Sequence, residues 1–566
     1  MKRRLSLLLA CLMVLSLFAG CAKTQTPAED PAPAASSQTP DAPTPSAEPA
    51  EQKTGYAFPL SDEKVTLGIT LFPESYVDSY EVNEFTQWYE EKTNVHIEWD
   101  ILPTVETATK VNLLLSSGIL PEVLMGCDID ASTVNIYGGQ GMFLPLNDYI
   151  EQYGTHFKNV LEKSPYVKDM ITMPDGNIYS LPRVNETFHV TMDNKAWMYM
   201  PWLEKVGKEL PTTTDELYEV LKAFKEEDPN GNGKADEIPM AGWADTQGSP
   251  CRIEYFLMNA FITTDKKQTL HYLTLKDGVI GAGFTTDEWR EGLRYVKKLY
   301  DEKLLAPETF TQDSTQLKQM GENPEIPILG SAITGYYGQF IQTYSESGRW
   351  LDYKTIPALE GPNGQRTTSY YPYGGAKMSE FIITNSCKNP EIAFQWADYL
   401  YSEEGTMGCF YGLEGSGWEK AKEGDVGLDG NPAKWVDLND YGVKHSKNWG
   451  NIGPKYASLE LTTSRKADPE KPLEMFLYEE SKKNYEPYLQ DMDTVIPPLV
   501  FDEERATELV DIATSLNRYV EEMTVSFITG KSDLDSDWDS YKETCAARGL
   551  ETALKIYQEA YDTLKK

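Results

Sequence analysis

The chain has 566 residues, 40% of them hydrophobic, enough for a substantial core and, by length alone, for about three or four domains. Against 88 Asp and Glu stand only 52 Lys and Arg, and the formal net charge of −36 describes a surface that repels phosphate backbones. Nucleic acid is therefore not an expected partner. The five histidines, His96, His156, His189, His271 and His445, lie far apart, which weakens a catalytic triad or a histidine zinc site. Of the seven cysteines, Cys11 and Cys21 fall in the leader, and Cys127, Cys251, Cys387, Cys409 and Cys545 contain no CxxC pair. Cys387 and Cys409 can form a disulfide; the alternative is five buried, reduced thiols.

The chain begins Met1-Lys2-Arg3-Arg4, continues with an apolar run over 5–18, and closes on Ala19-Gly20-Cys21. That run is too short to span a membrane as a helix and has the form of a secretory leader. Small residues followed directly by cysteine resemble the bacterial lipoprotein signal, although Phe18 stands where that signal usually has Leu. The resemblance implies cleavage after residue 20 and a lipidated Cys21. Residues 21–56 then form a Pro-, Ala- and Ser-rich tether, with no aromatic residue between 22 and 54. Such a segment buries too little apolar area to offset its chain entropy.

Within the body, residues 65–72 (VTLGITLF) predict a first strand, 83–92 a helix and 95–99 an alternating second strand. A helix over 107–117 presents Val111, Leu114 and Leu115 on one face and stops at Gly118; 122–125 is a third strand. Alternating strands and helices argue for an α/β body with mostly parallel pairing. Thr213-Thr214-Asp215-Glu216 has capping-box spacing, and Leu217, Val220, Leu221 and Phe224 follow at helical intervals, ending before Pro229. Further helices are expected over 287–302, 390–401, 503–527 and 539–565. The Gly- and Trp-rich stretch 414–472 reads as covering loops.

After the helix that starts at Thr213, residues 228–237 (DPNGNGKADE) place Asp228, Asn230, Asn232 and Asp236 at positions 1, 3, 5 and 9, with glycine at position 6. This is the spacing by which an EF-hand-type loop wraps Ca²⁺. Lys234 supplies a backbone carbonyl, and Glu237 substitutes for the usual acid at position 12, where Pro239 stands. With all these ligands on one loop, the ion is expected to be structural. The alternative is a Gly- and Asn-rich turn that ends a helix.

Five segments together resemble the extracellular solute-binding proteins of carbohydrate ABC importers, of the family 1, lipoprotein type. They are 113–123 (LLLSSGILPEV), 174–182 (PDGNIYSLP), 211–239 with its calcium-like loop, 389–405 (NPEIAFQWADYLYSEEG) and 527–561 with Trp538, Tyr541 and Gly549. The resemblance implies a two-lobed, periplasmic-binding-protein-like α/β fold of the maltose-binding type, with strands crossing between the lobes. Residues 57–187 plus 376–412 would form the first lobe, and 188–375 plus 413–566 the second. The crossings would fall near 183–190, near 374–381, and after Gly405. The partners implied are an oligosaccharide, ABC permease subunits and a separate ATPase, since no GxxxxGK[ST] loop occurs. The protein would be a monomer, extracytoplasmic and tied to the membrane only by its lipid.

Sugars need flat aromatic faces and polar groups for their hydroxyls. Aromatic residues in Gly-rich contexts nominate Trp243, Tyr336, Tyr337, Tyr371, Tyr373 and Trp418. Family position adds Glu74 and Ser75 after the first strand, Asp128 and Asp130 after the third, and Arg183, Asn185 and Glu186 at the first crossing. A lone Arg183 would favour acidic sugars; a salt bridge is its alternative role. Trp88, Tyr89, Trp396 and Tyr399 sit in expected helices and are read as packing. Competing functions are a peptide-binding importer component, a surface adhesin or sensor partner, and a calcium-stabilised glycosidase or lyase. GxSxG and HExxH are absent, and no enzymatic activity is expected.

Overall fold

The computed structural model describes residues 56–244 and 252–564, so the leader, Cys21, the tether up to residue 55 and Cys251 lie outside the described residues. Thirteen strands occur among the described residues: β1 (Val65–Leu71), β2 (Val95–Ile101), β3 (Val123–Met125), β4 (Leu181–Asn185), β5 (Lys195–Tyr199), β6 (Leu273–Lys276), β7 (Val279–Ala282), β8 (Ser331–Thr334), β9 (Tyr353–Ile356), β10 (Ala376–Ile383), β11 (Trp418–Lys420), β12 (Trp435–Asp437) and β13 (Lys455–Ala457). Six of them form one sheet in the order β13-β4-β10-β3-β1-β2, and three form a second in the order β8-β5-β9.

In the first sheet β1 runs parallel to β2 and β3, with Leu71 opposite Ile101 and Met125. Strand β10 returns antiparallel, placing Phe381 opposite Met125 and Lys377 opposite Arg183, and β13 lies parallel to β4. The carboxyl ends of β1–β4 and β13 and the amino end of β10 therefore share one edge. Side-chain alternation sends successive residues to opposite faces. Val123, Met125, Phe381 and Ile383 enter one core, with Phe85, Trp396 and Trp449, while Leu124 and Ile382 enter another with Val111 and Leu115. The second sheet has its own core, where Leu217, Val220, Leu221 and Phe224 pack with Trp197, Trp289 and Tyr557. Separate cores around separate sheets give the two lobes of the expected α/β fold.

Local signals set many boundaries. Asn83 caps the helix Glu84–Thr93, and Gly118, at φ +69°, ends Thr107–Ser117. Thr213 accepts from the Glu216 amide at the start of Thr214–Glu226. The Glu216 carboxylate accepts from Thr212 rather than from the Thr213 amide, so only half of the expected capping box forms. The helix expected over 539–565 is two, Trp538–Ala547 and Leu550–Leu564, broken at Gly549, whose φ of +95° a side chain would strain. Cys127, Cys387, Cys409 and Cys545 are free thiols, so no 387–409 disulfide forms.

One boundary needs correction. Residues 413–457, expected in the second lobe, contribute Trp449, Ile452 and β13 to the first core. Trp449 stacks on Trp396 at 5.6 Å and donates its indole N–H to Thr86, which keeps the chain with the first lobe until after Ala457. Further along, Leu461 still packs with Met407, Tyr411 and Trp435, whereas Leu473 and Leu477 join the second core. No helix among the described residues is long and apolar enough to cross a membrane.

Candidate functional site

Ligands of open α/β sheets bind outside the carboxyl ends of the strands. In the first lobe that edge gathers several groups the sequence placed far apart. Glu74 is half-buried and Ser75 exposed on the turn after β1, and Asp128, exposed after β3, pairs with Lys377 at 3.1 Å. Arg183, on β4, donates from Nη1 to the Asn451 carbonyl, and no described carboxylate lies within ion-pair distance of it. Asn451 also donates from Nδ2 to the Tyr76 hydroxyl, 3.1 Å away. Behind them Glu380 is buried, its Oε1 accepting from the Gly453 amide while Oε2 has no hydrogen-bond partner.

The second lobe turns the matching edge toward the same crossings. Lys195 lies opposite Thr334 and Ala196 opposite Ile356, so the amino end of β5 meets the carboxyl ends of β8 and β9. Residues 186–194 join β4 directly to β5, and the Tyr371 amide donates to the Thr191 carbonyl at 3.0 Å, tying the two crossings together. Half-buried Tyr336 follows β8, with Gln339 Oε1 accepting from the amides of Gly335 and Tyr336. Its ring centroid lies 6.5 Å from that of Tyr441, which is 6.3 Å from Tyr344. Tyr441 belongs to a loop held to the first lobe, where the His445 amide donates to Tyr76 O and the Asp78 amide to His445 O. This loop thus brings aromatic rings of both lobes together.

Several nominated residues are occupied elsewhere. Tyr337 is fully buried, 4.1 Å from the Trp197 ring, and donates to the Tyr353 carbonyl; it is a core residue, because the turn after β8 sends adjacent tyrosines to opposite sides. Asp130 caps the helix Ala131–Gly139, accepting from the amide and hydroxyl of Thr133. Asn185 accepts from Thr187 in a local turn, and Glu186 accepts from Ser164 and the Leu459 amide. Trp418 packs on Met407, Tyr411 and Trp435 beside the hairpin β11–β12. Tyr371 and Tyr373 meet edge-on at 5.4 Å at the return crossing, with Tyr166 5.6 Å from Tyr373. Trp243, only 7% exposed, lines an open groove of about 510 Å³ on the second lobe. Tyr76, Lys377, Tyr441 and Asn451 were not nominated. The one signal for the last two was the loop-like composition of 414–472.

The acidic loop that precedes β6 has the turns its spacing requires. Asp228 accepts from the amides of Gly231, Asn232 and Gly233, and Asn232 Oδ1 from that of Lys234. Asn230 and Asn232 donate their side-chain amides to Asp236. The described residues contain no cluster of three His, Cys, Asp or Glu groups arranged as metal ligands. Glu237 Oε1 is nevertheless buried without a hydrogen-bond partner, and burial, reinforced by the charges of Asp228 and Asp236, raises its carboxyl above the usual range. A buried, unpaired carboxylate oxygen next to two further carboxylates is relieved by a cation, so these side chains fit Ca²⁺ chemically.

The sequence model of the bacterial extracellular solute-binding proteins matches residues 74–407. The chain belongs to this family. A fructooligosaccharide ABC transporter substrate-binding protein of Streptococcus pneumoniae, FusA, is 28% identical over 522 residues, covering 90% of this chain and 92% of the relative. The lipoprotein LipO of Bacillus subtilis is 26% identical, covering 62% of this chain and 66% of its own length. A solved structure of FusA in complex with kestose superposes with a TM-score of 0.73 at 26% identity, over 88% of this chain and 99% of that one. Another is of a FusA EF-hand mutant in complex with fructo-nystose, at a TM-score of 0.72 and 25% identity, with the same coverage. This solute-binding protein thus shares its fold with sugar-binding members along nearly the whole body.

Proposed function

We propose that the chain is the substrate-binding lipoprotein of an ABC importer. It captures an oligosaccharide between its lobes and hands it, on closure, to a membrane permease driven by a separate ATPase. The observation that carries this reading is the pairing of the two sheet edges. Arg183, Tyr76, Asn451 and the Asp128–Lys377 pair supply polar contacts from the first lobe, and Tyr336 of the second lobe, facing Tyr441 on the loop held to the first, supplies aromatic surface. That combination suits a ligand with apolar C–H faces and a rim of hydroxyls. FusA, whose name specifies fructooligosaccharides, supports the ligand class, and LipO, named a lipoprotein, supports anchoring through Cys21.

Asp228, Asn230, Asn232, Asp236, Glu237 and the Lys234 carbonyl hold a structural Ca²⁺ in this reading, and the FusA EF-hand mutant supports such a loop in a relative. When bound, the ion contributes charge neutralisation and a fixed loop. The chain itself transmits that order, because residues 238–241 pair alongside Leu329, Leu305 and Ala332 and lead directly to Trp243.

The test is a thermal-shift screen of the body from about residue 54 with neutral oligosaccharides, uronic-acid oligosaccharides and peptides, followed by mass spectrometry of what was bound. A stabilising sugar recovered intact supports the reading. Stabilisation by peptides alone, or a sugar recovered shortened or unsaturated, refutes it.

A further inference from the structure

Residues 438–446, between β12 and β13, are fixed to one lobe at both ends and touch the other only at their tip. At the start the Leu438 amide donates to the Gly417 carbonyl at 3.0 Å, and Asn439 Nδ2 donates to the Tyr411 and Gly417 carbonyls at 2.8 and 3.1 Å. At the end the His445 amide donates to Tyr76 O at 3.0 Å, its carbonyl accepts from the Asp78 amide at 2.9 Å, and the Glu84 amide donates to Ser446 O at 2.8 Å. Trp449 follows, buried in the first core. Both stems therefore travel with the first lobe, and the second stem lies against the loop that follows β1.

Between the stems the chain reverses over 440–443. The Val443 amide donates to Asp440 O at 3.3 Å, and Gly442 holds the φ of +74° that such a turn asks of glycine. The tip reaches the second lobe through side chains. Asp440 Oδ1 pairs with Lys471 Nζ at 2.8 Å, and Lys471 also donates to the Asn439 carbonyl at 3.0 Å. Lys471 leads into the helix Leu473–Asn484, whose Leu473 and Leu477 lie in the second core. Tyr441 stands between Tyr336 and Tyr344, and the Tyr344 hydroxyl accepts from the Leu473 amide at 3.3 Å. Among the described residues no backbone–backbone hydrogen bond joins 438–446 to the second lobe.

The two kinds of attachment differ in strength. The stems are held by backbone hydrogen bonds next to a buried tryptophan. The tip is held by an ion pair whose carboxylate side chain is 70% exposed and by a tyrosine that is 51% exposed, contacts that water and salt weaken. When the lobes part, the tip contacts break first and the segment stays with the first lobe. Because it runs from the loop after β1 to the turn after β8, it spans the two edges between which the ligand is read to lie.

We propose that residues 438–446 are a lid over the interlobe cleft, hinged with the first lobe and latched reversibly onto the second by Tyr441 and the Asp440–Lys471 pair. The latch governs how fast a bound oligosaccharide leaves rather than how fast it enters. This rests on the interlobe reading given above, although the latch itself can be tested without a ligand.

The test is hydrogen exchange on the ligand-free body, residues 54–566, with fragmentation that resolves the Val443 amide in the tip from the His445 amide in the stem. Tyr441→Ala and Lys471→Met should each speed exchange at Val443 roughly tenfold and leave His445 at its wild-type rate, and raising the salt should bring wild type towards Lys471→Met. Unchanged exchange at Val443, or equal loosening of Val443 and His445, overturns the latch. Asp440→Asn removes the same ion pair from the exposed side and should repeat the Lys471→Met result, which guards against a folding defect in either variant. Wild type and Lys471→Met are then mixed with partial hydrolysates of inulin, xylan and polygalacturonate, and binding and release are followed by stopped-flow tryptophan fluorescence. Release several times faster in the variant at an unchanged association rate is expected; slower association with unchanged release overturns the lid. If no hydrolysate contains a sugar that binds wild type, the interlobe reading falls and the lid with it, whereas a failure confined to the exchange experiment overturns the lid alone.

Discussion

Tyr336 and Tyr337 are neighbours in sequence with opposite roles, and replacing each by alanine separates packing from binding. Tyr337 has no exposed surface, its ring lies 4.1 Å from Trp197 and 5.3 Å from Trp350, and its hydroxyl donates to Tyr353 O at 3.2 Å. Truncating a buried aromatic of this kind costs about 3–5 kcal/mol, because the cavity cannot fully collapse. Tyr337→Phe keeps the ring and loses only one buried hydrogen bond, for about 1 kcal/mol. Tyr336→Ala removes a half-buried ring from the cleft wall and should leave stability nearly unchanged while weakening oligosaccharide binding. Urea unfolding followed by tryptophan fluorescence reads the first effect, since Trp197 and Trp350 sit against the altered side chain, and calorimetric titration reads the second. A Tyr337→Ala protein with wild-type unfolding and lost binding would refute the assignment of Tyr337 to the core.

Glu474 lies 3.4 Å from His189 at the first crossing; burial alone would raise its carboxyl, but His189 and Arg465 bring it down to about 2 from an ordinary 4.5. A depressed acid stabilises the fold above its unfolded value and loses that contribution as pH falls from about 4.5 towards 2. Glu474→Gln should therefore cost about 2–3 kcal/mol at neutral pH, with wild type and variant converging in acid; a pH-independent difference in unfolding would contradict this. Chelation should lower the melting temperature of the wild type but not of Asp228→Ala, and identical wild-type melting with and without chelator would remove the calcium assignment. Thr213→Ala should destabilise the helix Thr214–Glu226 by about 1 kcal/mol, measured by chemical unfolding, with no effect on sugar affinity.

Short-range physics was legible in the residues themselves. Asn83, Thr213 and Gly118 mark helix ends because a cap needs only a side chain or a left-handed backbone within one turn. The face formed by Leu217, Val220, Leu221 and Phe224 was legible for the same reason, as periodicity is a local property. The spacing of 228–237 likewise specified its turns, which close within the loop. What only the tertiary structure decided depends on pairing between distant segments. Arg183, Lys377 and Lys455 became neighbours through strand register, and Asn451 and Tyr441 reached the candidate site because Trp449 anchors their loop to the first core. No local pattern distinguishes Tyr336 from Tyr337. The backbone direction after β8, set by its pairing with β5, buries one ring against Trp197 and leaves the other facing the opposite lobe.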